Sequence, residues 1–173
     1  YYDSATLSRD YLGGANLDLA LTKRLRWKTV VYGHGQYGRA AWTNPYESSP
    51  ANAAGQVAPL SEQVTLSTGQ RYGITSAFTY NIAHNQISAG VWYENFHNEI
   101  GRNGYAEPVL GAGSPINPMG SLPSPFANYW AQTFNSNSFT AFVQDTYHPL
   151  HIVALHFGFK SLLQTVDGQE TAN

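Results

Sequence analysis

Several short stretches of this sequence carry residue types at spacings that could do chemistry. Gly33-His34-Gly35-Gln36-Tyr37-Gly38 spells GxGxxG, which cradles a pyrophosphate when a helix follows and an acidic residue lies about 20 positions on. Here the chain runs into Ala40-Ala41-Trp42-Thr43-Asn44-Pro45, a loop composition, so the glycines read as a weakened strand end. Glu94 and His97 have the ExxH spacing of metal-binding helices. On a strand, that spacing sends the two side chains to opposite faces. His148 and His151 bracket a tight turn and read as solvated turn residues. No Ser, His and Asp arrangement stands out. The expectation is a protein without catalysis, cofactor or metal.

Binding chemistry is better represented. Arg39, Trp42, Tyr46 and Glu47 fall in one long irregular stretch, and Arg102, Tyr105, Tyr129 and Trp130 in another. Flat rings beside guanidinium groups suit an anionic or aromatic chelate; packing of the two stretches on each other is the competing account. Arg71 and Glu94 share the polar parity of adjacent strands and face the same side, where they read as contacts for a ligand or as an ion pair lining a wall.

The elements that hold these residues are strands. From Arg71 to Tyr80, Tyr72, Ile74, Ser76, Phe78 and Tyr80 alternate with Arg71, Gly73, Thr75, Ala77 and Thr79, the period-two pattern of a strand whose faces meet different media. After a polar break at residues 81–85, Ile87, Ala89, Val91 and Tyr93 resume the alternation. Each arm of this hairpin is about the ~9–11 residues that a tilted strand needs to cross a bilayer.

The same design recurs along the chain. Strand one starts near Asp10 and carries Tyr11, Ala15, Leu17, Leu19 and Leu21 on one parity; the residues before Ser8 read as the end of a loop. A short turn at residues 22–25 leads to strand two, with Trp27, Thr29, Val31 and Tyr37. Residues 38–69 read as a long loop, as do residues 98–135 with their five prolines. Strand five holds Phe139, Ala141, Val143 and Tyr147. A turn at residues 148–151 precedes strand six, with Val153, Leu155, Phe157 and Phe159, and a polar tail that starts a third loop.

Composition narrows the class. Charged residues make up 12% of the 173 residues, about half of the ~25% usual for soluble domains, while aromatics reach 14%. The net charge of -2 and the lack of a basic run exclude a nucleic-acid partner. Cysteine is absent, which removes disulfides and thiolate metal sites. No window approaches the ~18 apolar residues of a membrane helix. With Tyr1 first and no charged-then-apolar leader, the chain reads as a piece of a longer protein.

Short turns alternating with long loops are the asymmetry of outer-membrane barrels. Inside the predicted strands Asp10, Asp18, Lys28, Arg71, Glu94 and Lys160 all lie on the polar parity, and only Asp145 lies on the apolar one. On the apolar parity Trp27, Tyr80 and Tyr147 sit beside short turns, whereas Tyr11, Tyr37, Tyr72, Tyr93, Phe139 and Phe159 sit toward long loops. Such sorting matches two aromatic girdles at headgroup level. The predicted fold is all-β: an antiparallel transmembrane β-barrel segment of about six strands, an incomplete barrel with short periplasmic turns and long extracellular loops. A passive porin-like barrel shares these signals, and a soluble all-β ligand- or carbohydrate-binding module is the rival from another class.

The segments DYLGGANLDLALTKRLRWKTVVYGH, RYGITSAFTYNIAHNQISAGVWYENF and FTAFVQDTYHPLHIVALHFGFKSL resemble strands of the TonB-dependent outer-membrane receptors. The third is the most specific, with Gln144-Asp145-Thr146-Tyr147, a short turn and Gly158-Phe159-Lys160. The resemblance covers most strands but not the long loops. It implies a place in the bacterial outer membrane, contact with lipid, and energised import of a small-molecule ligand such as a ferric siderophore. It also implies a partnership with the TonB complex through a plug domain that is not present in these residues.

Overall fold

The computed structural model describes residues 4–171. They form a single antiparallel sheet of six strands in sequential order: β1 (Ser4–Ala20), β2 (Leu25–Asn44), β3 (Ser61–Ile82), β4 (Asn85–Ala106), β5 (Ala127–Leu150) and β6 (Val153–Glu170). Each strand pairs only with its neighbours in sequence, so β1 and β6 are edges and the sheet does not close on itself.

At one end the connections are tight. Thr22 ties the first turn, its Oγ1 accepting from the backbone N–H groups of Arg24 and Leu25 at 3.2 and 3.0 Å. The β3–β4 turn is residues 83–84, with Ala83 at a φ of 45°, the left-handed conformation that two-residue hairpin turns demand. The other end carries the long connections, residues 45–60 and 107–126.

The strands are longer than the alternation predicts. β2 runs on through Asn44, β3 starts at Ser61, β4 reaches Ala106, β5 starts at Ala127, β1 starts at Ser4 and β6 extends to Glu170. The loops are correspondingly shorter than the expected 38–69 and 98–135, and the tail expected to begin a third loop is strand. Segments such as Ser61–Gln70 (SEQVTLSTGQ) lack period-two hydrophobicity, but the backbone ladder requires only N–H and C=O groups and continues through them. β3 and β4 have 22 residues each, about twice the ~9–11 needed to cross a bilayer.

The register turns parity into two faces. One row in the turn-proximal half reads Ala15, Val31, Ile74, Tyr93, Phe139 and Leu163; the next toward the turns reads Leu17, Thr29, Ser76, Val91, Ala141 and Ser161. Even on the central strands this apolar face is uncovered: Ile74 is 40% exposed, Phe78 46% and Val91 40%. Its polar members satisfy each other. The Trp27 indole N–H donates to Ser76 Oγ at 2.9 Å, and the Ser76 and Thr29 hydroxyls lie 2.9 Å apart. Asp145, the carboxylate on the wrong parity, accepts from the Asn85 amide beside the turn.

The buried apolar cluster lies elsewhere. Ala41, Val64 and Tyr105 continue the apolar parity into the loop-proximal half, where Leu66 and the loop residues Ile116, Met119 and Leu122 pack on them. Segment 107–126 therefore folds back over that face.

Candidate functional site

The site begins with a bulge. Arg102 pairs with Trp130, but the next pair is Asn103 with Asn128, which leaves Tyr129 as an extra residue in β5. Two residues against one point neighbouring side chains the same way: Tyr129 and Trp130 both reach groups of the polar face. Gly104 makes room for this. A Cβ there would fall 2.5 Å from Tyr129 Oη and 3.1 Å from Phe126 Cζ.

Four strands converge on that patch. On β2 and β3, the Trp42 indole N–H donates to Gln63 Oε1 at 3.2 Å. The Gln63 amide and the Asn44 amide donate to Glu47 Oε2 at 3.4 and 3.3 Å, and the Tyr129 hydroxyl donates to the same oxygen. Burial, then the Glu47 carboxylate, pushes the Tyr129 hydroxyl up to about 12. On β4, Arg102 lies 5.8 Å from the Trp130 ring centroid, and its Nε donates to Thr65 Oγ1 at 3.1 Å. Trp42 remains 38% exposed. The result is a patch with Trp42 against Gln63 on one side and Trp130 under Arg102 on the other, and with amide, hydroxyl and carboxylate groups between them.

The residues singled out from sequence divide between locations. Trp42, Arg102 and Trp130 meet in this patch, but as strand residues rather than on loops, because the ladder extends past the point where hydrophobic alternation fades. Arg39 and Tyr105, also expected on loops, are on strands and belong to the opposite face. The Arg39 guanidinium donates to the carbonyls of Pro118 (3.0 Å) and Gly120 (2.7 Å) and to Tyr37 Oη (3.2 Å). Tyr105 is buried at 3% exposure in the apolar cluster. Tyr46 is a loop residue at the rim of the patch, its backbone N–H donating to Asn44 Oδ1 at 2.9 Å and its side chain 89% exposed. Ser49 ties the loops together: its Oγ accepts from the Glu107 N–H at 2.8 Å and donates to the Leu60 carbonyl at 2.7 Å.

No protein-family model matches this chain, and the search of curated proteins found no match.

Farther down the polar face, Arg71 Nε lies 3.6 Å from Glu94 Oε1, and the Arg71 guanidinium stacks 4.7 Å from the Phe96 ring centroid. Glu94 also accepts from the Tyr32 hydroxyl at 2.5 Å, and Tyr32 Oη accepts from the Trp92 indole N–H at 3.0 Å. The pair expected from parity is thus part of a network whose aromatic members the sequence did not reveal. An open groove of about 860 Å³ lies beside it, lined by Tyr32, Thr75, Trp92, Phe142, Gln144 and Lys160 among others.

The remaining motifs fall as follows. Residues 33–38 lie inside β2 with no helix after them. Glu94 is on the polar face, whereas His97 bonds Asn135 at 2.7 Å and Glu99 at 3.3 Å on the other. Gln63, Thr65 and Asn44 went unnoticed in the sequence because their stretch reads as loop, where parity has no meaning.

Proposed function

We propose that this chain is a section of the wall of an outer-membrane β-barrel, of the TonB-dependent receptor kind, that captures a small-molecule ligand at its loop end. One observation carries the reading: an uncovered apolar face crosses all six strands, confined to the turn-proximal half and bordered by tyrosines such as Tyr72 and Tyr80. A contiguous apolar face of this extent is rare on soluble monomers. Lipid is the medium that fits it, because every interior backbone group is already in the ladder. The edges β1 and β6 would pair with further strands of a closed barrel.

In this reading the loop-proximal halves stand outside the bilayer and present the Trp42, Arg102 and Trp130 patch to incoming ligand. The polar face below, with the Tyr32, Arg71 and Glu94 network, lines the lumen. Import by plug rearrangement under the energised inner-membrane complex is what the family resemblance adds.

The absence of cysteine allows a clean test. Nitroxide labels at Val91→Cys and Gln144→Cys, with the protein refolded in liposomes, should differ: the Val91 site collides with oxygen dissolved in lipid, the Gln144 site with an aqueous nickel chelate. Equal accessibility at both sites defeats the membrane reading.

A further inference from the structure

We infer that the patch formed by Trp42, Gln63, Arg102, Tyr129 and Trp130 binds a neutral polyhydroxylated ligand, a short oligosaccharide, rather than an anionic metal chelate. This inference rests on the receptor reading and names the ligand class for its capture site.

Charge is the first reason. Neither connection at this end, residues 45–60 or 107–126, contains a lysine, arginine or histidine, and both carry a glutamate, Glu47 and Glu107. Of the two arginines that sequence spacing offered here, Arg39 is on the other face, donating to the Pro118 and Gly120 carbonyls. Among the described residues that leaves Arg102 as the cation of the patch, and it is already stacked on Trp130 and bonded to Thr65. The Glu47 carboxylate gathers Gln63, Asn44 and Tyr129 at the same place. A polyanionic chelate entering this site would meet a carboxylate and one committed guanidinium, an unfavourable balance.

Shape and donor chemistry are the second. Sugar rings present an apolar C–H face and a rim of hydroxyls. Indole planes match the face, and groups that both donate and accept match the rim. Trp42 on β2 and Trp130 on β5 are three interstrand spacings apart, roughly 14 Å, enough for more than one sugar ring. Between them Gln63, bonded to Trp42 and Glu47, and Thr65, bonded to Arg102, each keep a second donor or acceptor position for a sugar hydroxyl. The bulge that turns Tyr129 and Trp130 to one side gives this end its second aromatic wall.

The test is calorimetric titration of the whole barrel that contains this chain, purified in detergent micelles, its β-structure checked by circular dichroism. The probes are maltotriose, cellotriose and a chitin trimer against a ferric catecholate. The expected result is saturable binding of a neutral trisaccharide that weakens about tenfold or more in Trp42→Ala and Trp130→Ala and is largely retained in Trp42→Phe. Binding of the ferric catecholate with no response to the sugars overturns the inference, as does no saturable binding of any sugar at millimolar concentration. Either result leaves the membrane reading standing, because that is decided separately by lipid accessibility at the Val91 site.

Discussion

The Tyr32 ring lies directly over the backbone of Gly73, where a Cβ would fall 2.2 Å from Tyr32 Cζ. This seat lets the Tyr32 hydroxyl cross from β2 over β3 to Glu94 on β4. Gly73→Ala should therefore displace the ring, break the Glu94 bond and destabilise the sheet by about 1–3 kcal/mol, the usual cost of overpacking. Tyr32→Phe keeps the ring seated and loses only the hydroxyl bonds. Urea midpoints in micelles check this ordering. A Gly73→Ala variant as stable as the parent would mean that the ring does not sit there.

Charge placed on the two halves of the apolar parity should have opposite consequences. Val91 lies in the middle row of the uncovered band, beside Ser76 and Ala141, so Val91→Lys should cost ~2–4 kcal/mol of folding into bilayers, as at a membrane midplane. Thr68 has the same parity but lies near the loop end, paired with Tyr37 and Glu99, and Thr68→Lys should cost only about 0–1 kcal/mol. Reversible folding into lipid vesicles measures both. Equal costs would argue that the band does not meet lipid.

The contrast between Arg71 and Trp42 shows how far the sequence can be read. Arg71 and Glu94 sit in strands whose faces meet different media, so hydrophobic parity assigns them to one face, and the short turn between their strands sets the register. Trp42 and Gln63 sit where both faces of the strand meet polar groups or folded loop. There alternation disappears although the ladder does not, and the strand looks like loop. The side taken by Arg39 was hidden for the same reason. The bulge at Tyr129 has no sequence mark, because an unpaired residue is defined only by its partner strand.

Arg39 should hold segment 107–126 on the sheet. It donates two hydrogen bonds to that segment's carbonyls, beside the contacts of Ile116, Met119 and Leu122. With each bond worth roughly 0.5–1.5 kcal/mol net, Arg39→Ala should raise opening of the segment by about tenfold. Limited proteolysis within 107–126 should accelerate accordingly, while ligand affinity at the Trp42 patch stays unchanged. A matching loss of affinity would instead place Arg39 among the ligand contacts.

Tyr129 provides a pH test of the bulge. Its hydroxyl proton is held by burial and by donation to Glu47, and its pKa rises from 10.0 to about 12. A raised folded-state value means that the unfolded chain loses this proton first. The stabilisation is complete below pH 10 and is lost as pH climbs through the window up to about 12. Ultraviolet difference titration of the parent against Tyr129→Phe should isolate one phenol ionising near the top of that window. Over the same range, hydrogen exchange at the loop ends of β4 and β5 should quicken in the parent more than in Tyr129→Phe. A phenol that titrates at the ordinary value would mean that Tyr129 does not reach Glu47 and that the second aromatic wall is not formed as described.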